Sequence, residues 1–148
     1  ANEDFHEQKH IVLGKIRALP NDIFQKLNIF YKTHYPKAEI SLTTSDQSEA
    51  MKIFCNSFYA TKVQFFNEIY EYCGKKKIDY DDTVGLMLKN GWINPMHTKV
   101  PGPDGKLGFG GACFPKDTRA LNEDMKRHNS TNNLLENVIV SCNKMRKD

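Results

Sequence analysis

The chain has 148 residues, 39% of them hydrophobic and 26% charged, the composition of a soluble globular protein with enough chain for one domain core. Its net charge of +3 is weak and spread out, so Lys75-Lys76-Lys77 reads as a solvated face and not as a nucleic-acid patch. No stretch approaches the roughly 20 apolar residues of a membrane span, and no signal peptide is visible.

Residues 1–8 are polar and aperiodic. His10-Ile11-Val12-Leu13-Gly14 is a short apolar run closed by glycine, which predicts a buried strand. Pro20-Asn21-Asp22 supplies helix-start chemistry, and Ile23, Leu27, Phe30 and Tyr31 follow at helical spacing. That helix is expected to run for about four turns and to end at His34-Tyr35-Pro36. Ala38 to Leu42 alternates apolar and polar residues, the pattern of a second short strand.

The longest element follows. Ser45 or Ser48 is expected to start it, in a Ser-Asp-Gln-Ser-Glu opening that offers an N-cap and early acids. From there to Cys73 there is no proline or glycine, while Gly74 and the three lysines after it suit a C-terminus. The predicted helix has roughly 28 residues and a length of about 40 Å. Ile53, Phe54, Phe58, Phe65, Phe66, Ile69 and Tyr70 make it apolar on more than one face, so part of it is expected to meet a second subunit or a neighbouring domain. Ile78 to Thr83 opens a further helix with Val84, Leu86, Met87 and Leu88 buried, ending at Asn90-Gly91. Residues 91–112 form a long loop rich in glycine and proline, and loops of that length in compact domains are usually functional or disordered. Two helices are expected after it, from Pro115 to about His128 and from Ser130 to Lys147, the last carrying Leu134, Leu135, Val138, Ile139 and Cys142. The fold class expected is mainly α, built on one long helix, with a short β-α-β unit in front.

The cysteines are Cys55, Cys73, Cys113 and Cys142. No C-x-x-C pair occurs, which argues against a zinc site and for reduced thiols in a cytoplasmic protein; no metal is expected. Cys113 lies in Gly108-Phe109-Gly110-Gly111-Ala112-Cys113-Phe114-Pro115-Lys116-Asp117. Pro115 suits the first turn of a helix, so Phe114 is expected at or near the N-cap and Cys113 just ahead of it. The helix dipole and the Lys116 ammonium would both favour a thiolate, the nucleophile of cysteine chemistry. The competing reading is a small buried residue in a glycine-rich turn.

Lys52 and Asn56 lie four apart on the long helix and share a face. Beside Cys113 they would hold the oxyanion of a thiohemiacetal or tetrahedral intermediate; otherwise Lys52 is a surface residue with its stem along the helix. Asp117 would orient Lys52 or a hydrolytic water, or simply pair with the helix dipole. His97 and Lys99 would touch a substrate or be exposed loop polars. Consecutive N–H groups of the glycine-rich loop can form an anion nest, but the spacing is not the dinucleotide fingerprint.

The Gly108–Asp117 stretch resembles the catalytic-cysteine motif of the UDP-glucose/GDP-mannose dehydrogenase family. Ser48-Glu49-Ala50-Met51-Lys52, followed by Asn56-Ser57-Phe58 and Phe66-Asn67-Glu68, resembles that family's long central helix. Phe114 favours the UDP-glucose branch. The resemblance covers most of residues 4–128 and implies an NAD-dependent, four-electron oxidation of the C6 alcohol of UDP-glucose to the carboxylate of UDP-glucuronate. It implies Cys113 as the carrier of the thiohemiacetal and thioester, Lys52 and Asn56 as oxyanion donors, and Asp117 as the group activating water. Backbone of Phe109, Gly110 and Gly111 would line the sugar, and Lys116 would reach the nicotinamide side.

The resemblance also implies a division into residues 1–44, the end of an NAD-binding domain; 45–128, a central dimerisation and catalytic domain; and 129–148, the start of a helix towards a UDP-binding domain. Ala1 to Phe5 resembles the segment just after the family's catalytic glutamate, and Trp92 stands where the family commonly has an arginine that reaches the partner subunit's site. The reading is therefore the central portion of a longer enzyme, inactive alone, homodimeric through the long helix, with NAD bound mainly elsewhere. The competing reading is a stand-alone dimerisation or binding module of the same family without catalysis.

Overall fold

The structure is a computed structural model and describes residues 7–146. Ala1 to Phe5, with the resemblance noted there, and Lys147 lie outside the described residues. The elements are β1 (His10–Lys15), α1 (Asn21–His34), β2 (Glu39–Thr44), α2 (Ser45–Lys76), α3 (Tyr80–Leu88), α4 (Phe114–Arg127) and α5 (Asn133–Met145), so the fold is mainly α behind a β-α-β unit. The chain divides into two compact units, one ending at Lys52 and the other starting at Ile53.

In the first unit β1 and β2 pair in parallel, from His10 opposite Glu39 to Lys15 opposite Thr44. Parallel strands need a crossover, and α1 supplies it. β2 begins at Glu39 and runs two residues past the expected Leu42. β1 is only half-buried, not buried as its apolar run suggests, because a two-stranded sheet leaves both strands with an edge. α2 starts at Ser45, as expected, but its cap is a different residue. Neither Ser45 nor Ser48 caps α2; Thr44 does, with Gln47. The Thr44 Oγ1 accepts from the Gln47 N–H at 3.2 Å, and the Gln47 Oε1 accepts from the Thr44 N–H at 3.3 Å. This reciprocal pair is a capping box, set one residue before Ser45.

α2 has 32 residues, and its part in the second unit continues from Ile53 through Gly74 to Lys76. Lys77 takes the left-handed conformation instead, with φ 58°. The Ile78 N–H donates to the Cys73 carbonyl at 3.0 Å and the Lys77 N–H to that of Gly74 at 3.3 Å, a Schellman closure with lysine in the usual glycine place. Asn129, with φ 54°, ends α4 in the same way. α5 begins at Asn133, three residues later than expected.

Two apolar clusters hold this unit. One joins Phe66 and Cys73 of α2 to Tyr80 and Val84 of α3 and to Val100 of the loop. The other joins Ala60 of α2 and Phe109 to Val138 and Cys142 of α5. Leu86, expected inside, is 67% exposed, and Leu134 of α5 is 66% exposed; each helix turns its neighbouring apolar residues inward instead. Phe54, Phe58, Phe65 and Tyr72 on α2 are all more than half exposed.

Tyr80 ties the first cluster to the loop, its hydroxyl donating to the Thr98 carbonyl at 2.6 Å. Burial, with Asp81 and Cys73 adding to it, pushes its phenol from 10.0 up to about 12. A raised folded-state value means that the tyrosine contributes stability in full below pH 10.0 and loses it as the pH rises through about 12. Denaturant titrations of the chain at pH 8 to 12 should therefore show a fall in stability that Tyr80→Phe removes. At pH 7 the same substitution should cost about 1–3 kcal/mol, since it leaves the Thr98 carbonyl unpaired.

Candidate active site

The glycine-rich loop is held from two helices. The Gly108 N–H donates to Asn67 Oδ1 at 2.9 Å, and the Asn67 amide donates to the Val63 carbonyl at 2.8 Å. Asn67 is 1% exposed, a carboxamide on the buried side of α2 that satisfies a loop. From α5 the Cys142 thiol donates to the Phe109 carbonyl at 3.4 Å. Burial pushes the Cys142 thiol up, so it stays protonated in this role. Gly108 has φ 72°, and a Cβ there would meet Cys142 Sγ at 2.9 Å. Gly108→Ala should therefore destabilise by about 1–3 kcal/mol, through strain and the displaced sulfur. Gly111→Ala, equally left-handed but facing open space, should cost less in the same urea titration.

The side chain of Arg146 lies over Gly110, where a Cβ would be. It pairs with Asp104, which holds that carboxyl below its usual range, and donates to the Leu107 carbonyl at 3.5 Å. A polar cleft of about 330 Å³ lies alongside, bounded by Phe109, Gly110, Gly111, Arg119, Asn143 and Arg146 among others.

At the end of this loop Cys113 is the N-cap of α4 and Phe114 its first residue, so Cys113 stands just ahead of the helix as expected. Its carbonyl accepts from the Asp117 N–H at 2.9 Å, and its side chain is exposed. The reading of Cys113 as a buried turn residue is thereby set aside. One turn on, Asp117 is 4% exposed. Its Oδ2 accepts from the Asn56 amide at 2.6 Å and its Oδ1 from the Lys116 ammonium. The carboxylate keeps Lys116 above its ordinary value. Asn56 of α2 is thus brought to Lys116 and Asp117 in the first turn of α4, the helix that Cys113 caps. Lys52 is exposed on α2, one turn before Asn56.

His97 is half-buried, with its ring 5.1 Å from that of Tyr59 and 5.3 Å from that of Phe114. Burial, and then the charge of Lys62, lower its imidazole below the usual value, which keeps it neutral at pH 7. Phe109 is buried, Gly110 half-buried, and Gly111 and Lys99 exposed. Among the described residues no cluster of His, Cys, Asp and Glu is built to hold a metal ion, and no helix is long and apolar enough to cross a membrane.

Sequence reasoning missed Asn67, Cys142, Arg146 and Tyr59. The first had a signal: a carboxamide on a strongly apolar helix needs a buried partner. The other three had none, since their partners lie in the loop or across it.

The fold defines the class. It aligns with a UDP-glucose dehydrogenase from Pyrobaculum islandicum at a TM-score of 0.81 and 22% identity, over 96% of this chain and 31% of that one. Residues 46–144 match the central domain of the UDP-glucose/GDP-mannose dehydrogenase family, and the chain belongs to that family. It is 36% identical to the UDP-glucose 6-dehydrogenase of Rickettsia bellii over 95% of this chain and 31% of the relative. The corresponding figures for the enzyme of Rickettsia prowazekii are 35%, 99% and 32%. The chain therefore spans about a third of the length of these relatives.

Proposed function

We propose that this chain is the central portion of an NAD-dependent UDP-glucose 6-dehydrogenase, with residues 1–44, 45–128 and 129–148 as the end of the cofactor domain, the central domain and the connecting helix. The observation that carries the reading is the exposed Cys113 at the head of a helix whose first turn holds the Asn56–Asp117–Lys116 cluster. The relatives' names supply the substrate class.

NAD would supply the acceptor for two hydrides. The residues described fit it only at an edge: the turn between β1 and α1, Ile16 to Pro20, has no glycine to cradle a pyrophosphate, and Lys116 is the one cation assigned to the nicotinamide side. The first oxidation of the C6 alcohol leaves an aldehyde, which must not escape. The Cys113 sulfur adds to the aldehyde carbon while the proton goes to the carbonyl oxygen, giving a thiohemiacetal. Loss of the second hydride and a proton converts it to a thioester. Water then attacks the thioester carbon, the C–S bond breaks, and the carboxylate and the Cys113 thiol are released.

Each oxyanion along this course needs donors. Lys52 and the second N–H of Asn56 are assigned to it, the first N–H being engaged by Asp117. Asp117, buried and already accepting two bonds, orients the amide and takes the proton from the attacking water. The sugar lies along the backbone of Phe109 to Gly111. The half-exposed phenylalanines of α2 support a homodimer through that helix.

The test is stoichiometry. The complete polypeptide that carries this segment, given UDP-glucose and NAD, should form two NADH per UDP-glucuronate, read by absorbance and chromatography. If it binds neither and still dimerises, the non-catalytic module is the better description.

A further inference from the structure

The loop around His97 is fastened on both sides of that residue. On one side the Lys62 ammonium, lowered below its usual value by burial, donates to the Asn94 carbonyl. On the other the Tyr80 hydroxyl donates to the Thr98 carbonyl at 2.6 Å. Between them the Met96 N–H donates to Asn94 Oδ1 at 2.8 Å and the Thr98 hydroxyl to the Pro95 carbonyl at 2.8 Å. His97 itself takes φ 68°, a left-handed conformation that costs free energy in any residue with a Cβ. Such a conformation persists where the surroundings over-determine it. What it achieves is to set the imidazole against two rings, Tyr59 of α2 at 5.1 Å and Phe114 of α4 at 5.3 Å, themselves 6.3 Å apart, so that the three form a closed triangle.

Phe114 is the first residue of α4 and the residue after Cys113. Packed against both other rings, the Phe114 ring is restrained from leaving its rotamer. Cys113 shares one planar peptide unit with Phe114, and the Asp117 N–H holds the carbonyl of that unit at 2.9 Å.

We propose that Tyr59 and His97 are positioning residues for Cys113: with Phe114 they form a three-ring wedge that fixes the start of α4 and so the direction in which the thiol points. The proposal rests on the reading of Cys113 as nucleophile for its consequence in turnover, but not for its geometry. The wedge needs the rings and not the imidazole nitrogens or the phenol. A displacement of about 1 Å at the nucleophile can cost up to about a hundredfold in rate.

The test compares Tyr59→Leu and His97→Ala with Tyr59→Phe and His97→Phe. Two quantities are read: alkylation of Cys113 by iodoacetamide in the folded chain, followed by peptide mass spectrometry, and kcat and KM for UDP-glucose in the complete polypeptide. Removing a ring should slow alkylation about fivefold or more and lower kcat about ten- to a hundredfold, with KM within about twofold. Tyr59→Phe should hold both within about twofold of the parent, and His97→Phe should hold the alkylation rate within the same range. Circular dichroism selects folded variants, and His97→Leu replaces His97→Ala if the latter unfolds. Unchanged alkylation in the ring-less variants overturns the proposal, and so does a His97→Phe variant as impaired as His97→Ala, which would assign the imidazole a direct contact. Turnover that survives Cys113→Ala would instead overturn the nucleophile reading and leave the alkylation comparison standing.

Discussion

Cys113→Ala in the complete polypeptide is expected to lower UDP-glucuronate formation by at least about three orders of magnitude, the scale of losing a covalent nucleophile. Two features make the result clean. Cys113 is exposed, so its removal leaves no cavity, and the bond it makes to α4 comes from its carbonyl, which alanine keeps. The melting temperature and the affinity for UDP-glucose should therefore stay close to those of the parent. Cys142→Ala should behave in the opposite way. It empties a buried site beside Gly108 and leaves the Phe109 carbonyl unpaired, so stability falls while the chemistry keeps its nucleophile. Calorimetry and an NADH assay on the two variants separate these effects. More than about a tenth of the parent activity in Cys113→Ala would remove the covalent mechanism.

Asp117→Ala carries the second large effect, on stability and turnover together. Its carboxylate is 4% exposed and accepts from Asn56 at 2.6 Å, so truncation leaves a carboxamide facing an empty, poorly hydrated space. Hydrogen bonds to a charged partner are worth about 1.5–3 kcal/mol, and the loss should fall in that range by urea titration. Asp117→Asn keeps the volume and should cost less, yet it removes the charge and the base, so thioester hydrolysis should slow in both variants. The pH dependence gives an independent check. Asp117 raises the Lys116 value, so this pair's contribution is complete below the ordinary lysine value of 10.5 and is lost as the pH rises through the higher folded value. Asp117→Asn should flatten that part of the alkaline stability profile.

The exposed apolar side chains of α2 and the glycine-rich loop were legible for different reasons. A glycine-rich run ahead of Cys-Phe-Pro leaves few local structures available, because Pro115 suits a first turn and glycine permits the left-handed turns at Gly108 and Gly111. The long helix was legible because nothing in it breaks the pattern. Its end was misplaced for a physical reason: Gly74 looks like a stop, but the closing bonds to Cys73 and Gly74 need a left-handed residue three positions on, and Lys77 accepts that conformation. The helix starts at Ser45, as the serine-rich opening suggested, but the capping group is Thr44, which also belongs to β2: a strand residue can cap the helix that follows.

By itself the amino-acid order determined what is local or periodic: the mainly helical class, the β-α-β opening, the loop after α3 and the helix entered through Pro115. Tertiary structure alone decided which polar groups are buried together. Asn56 and Asp117 are 61 positions apart and Asn67 and Gly108 are 41 apart, and no helical or strand period spans such distances. A buried donor must find its acceptor wherever packing brings one within reach, and only the folded chain specifies that.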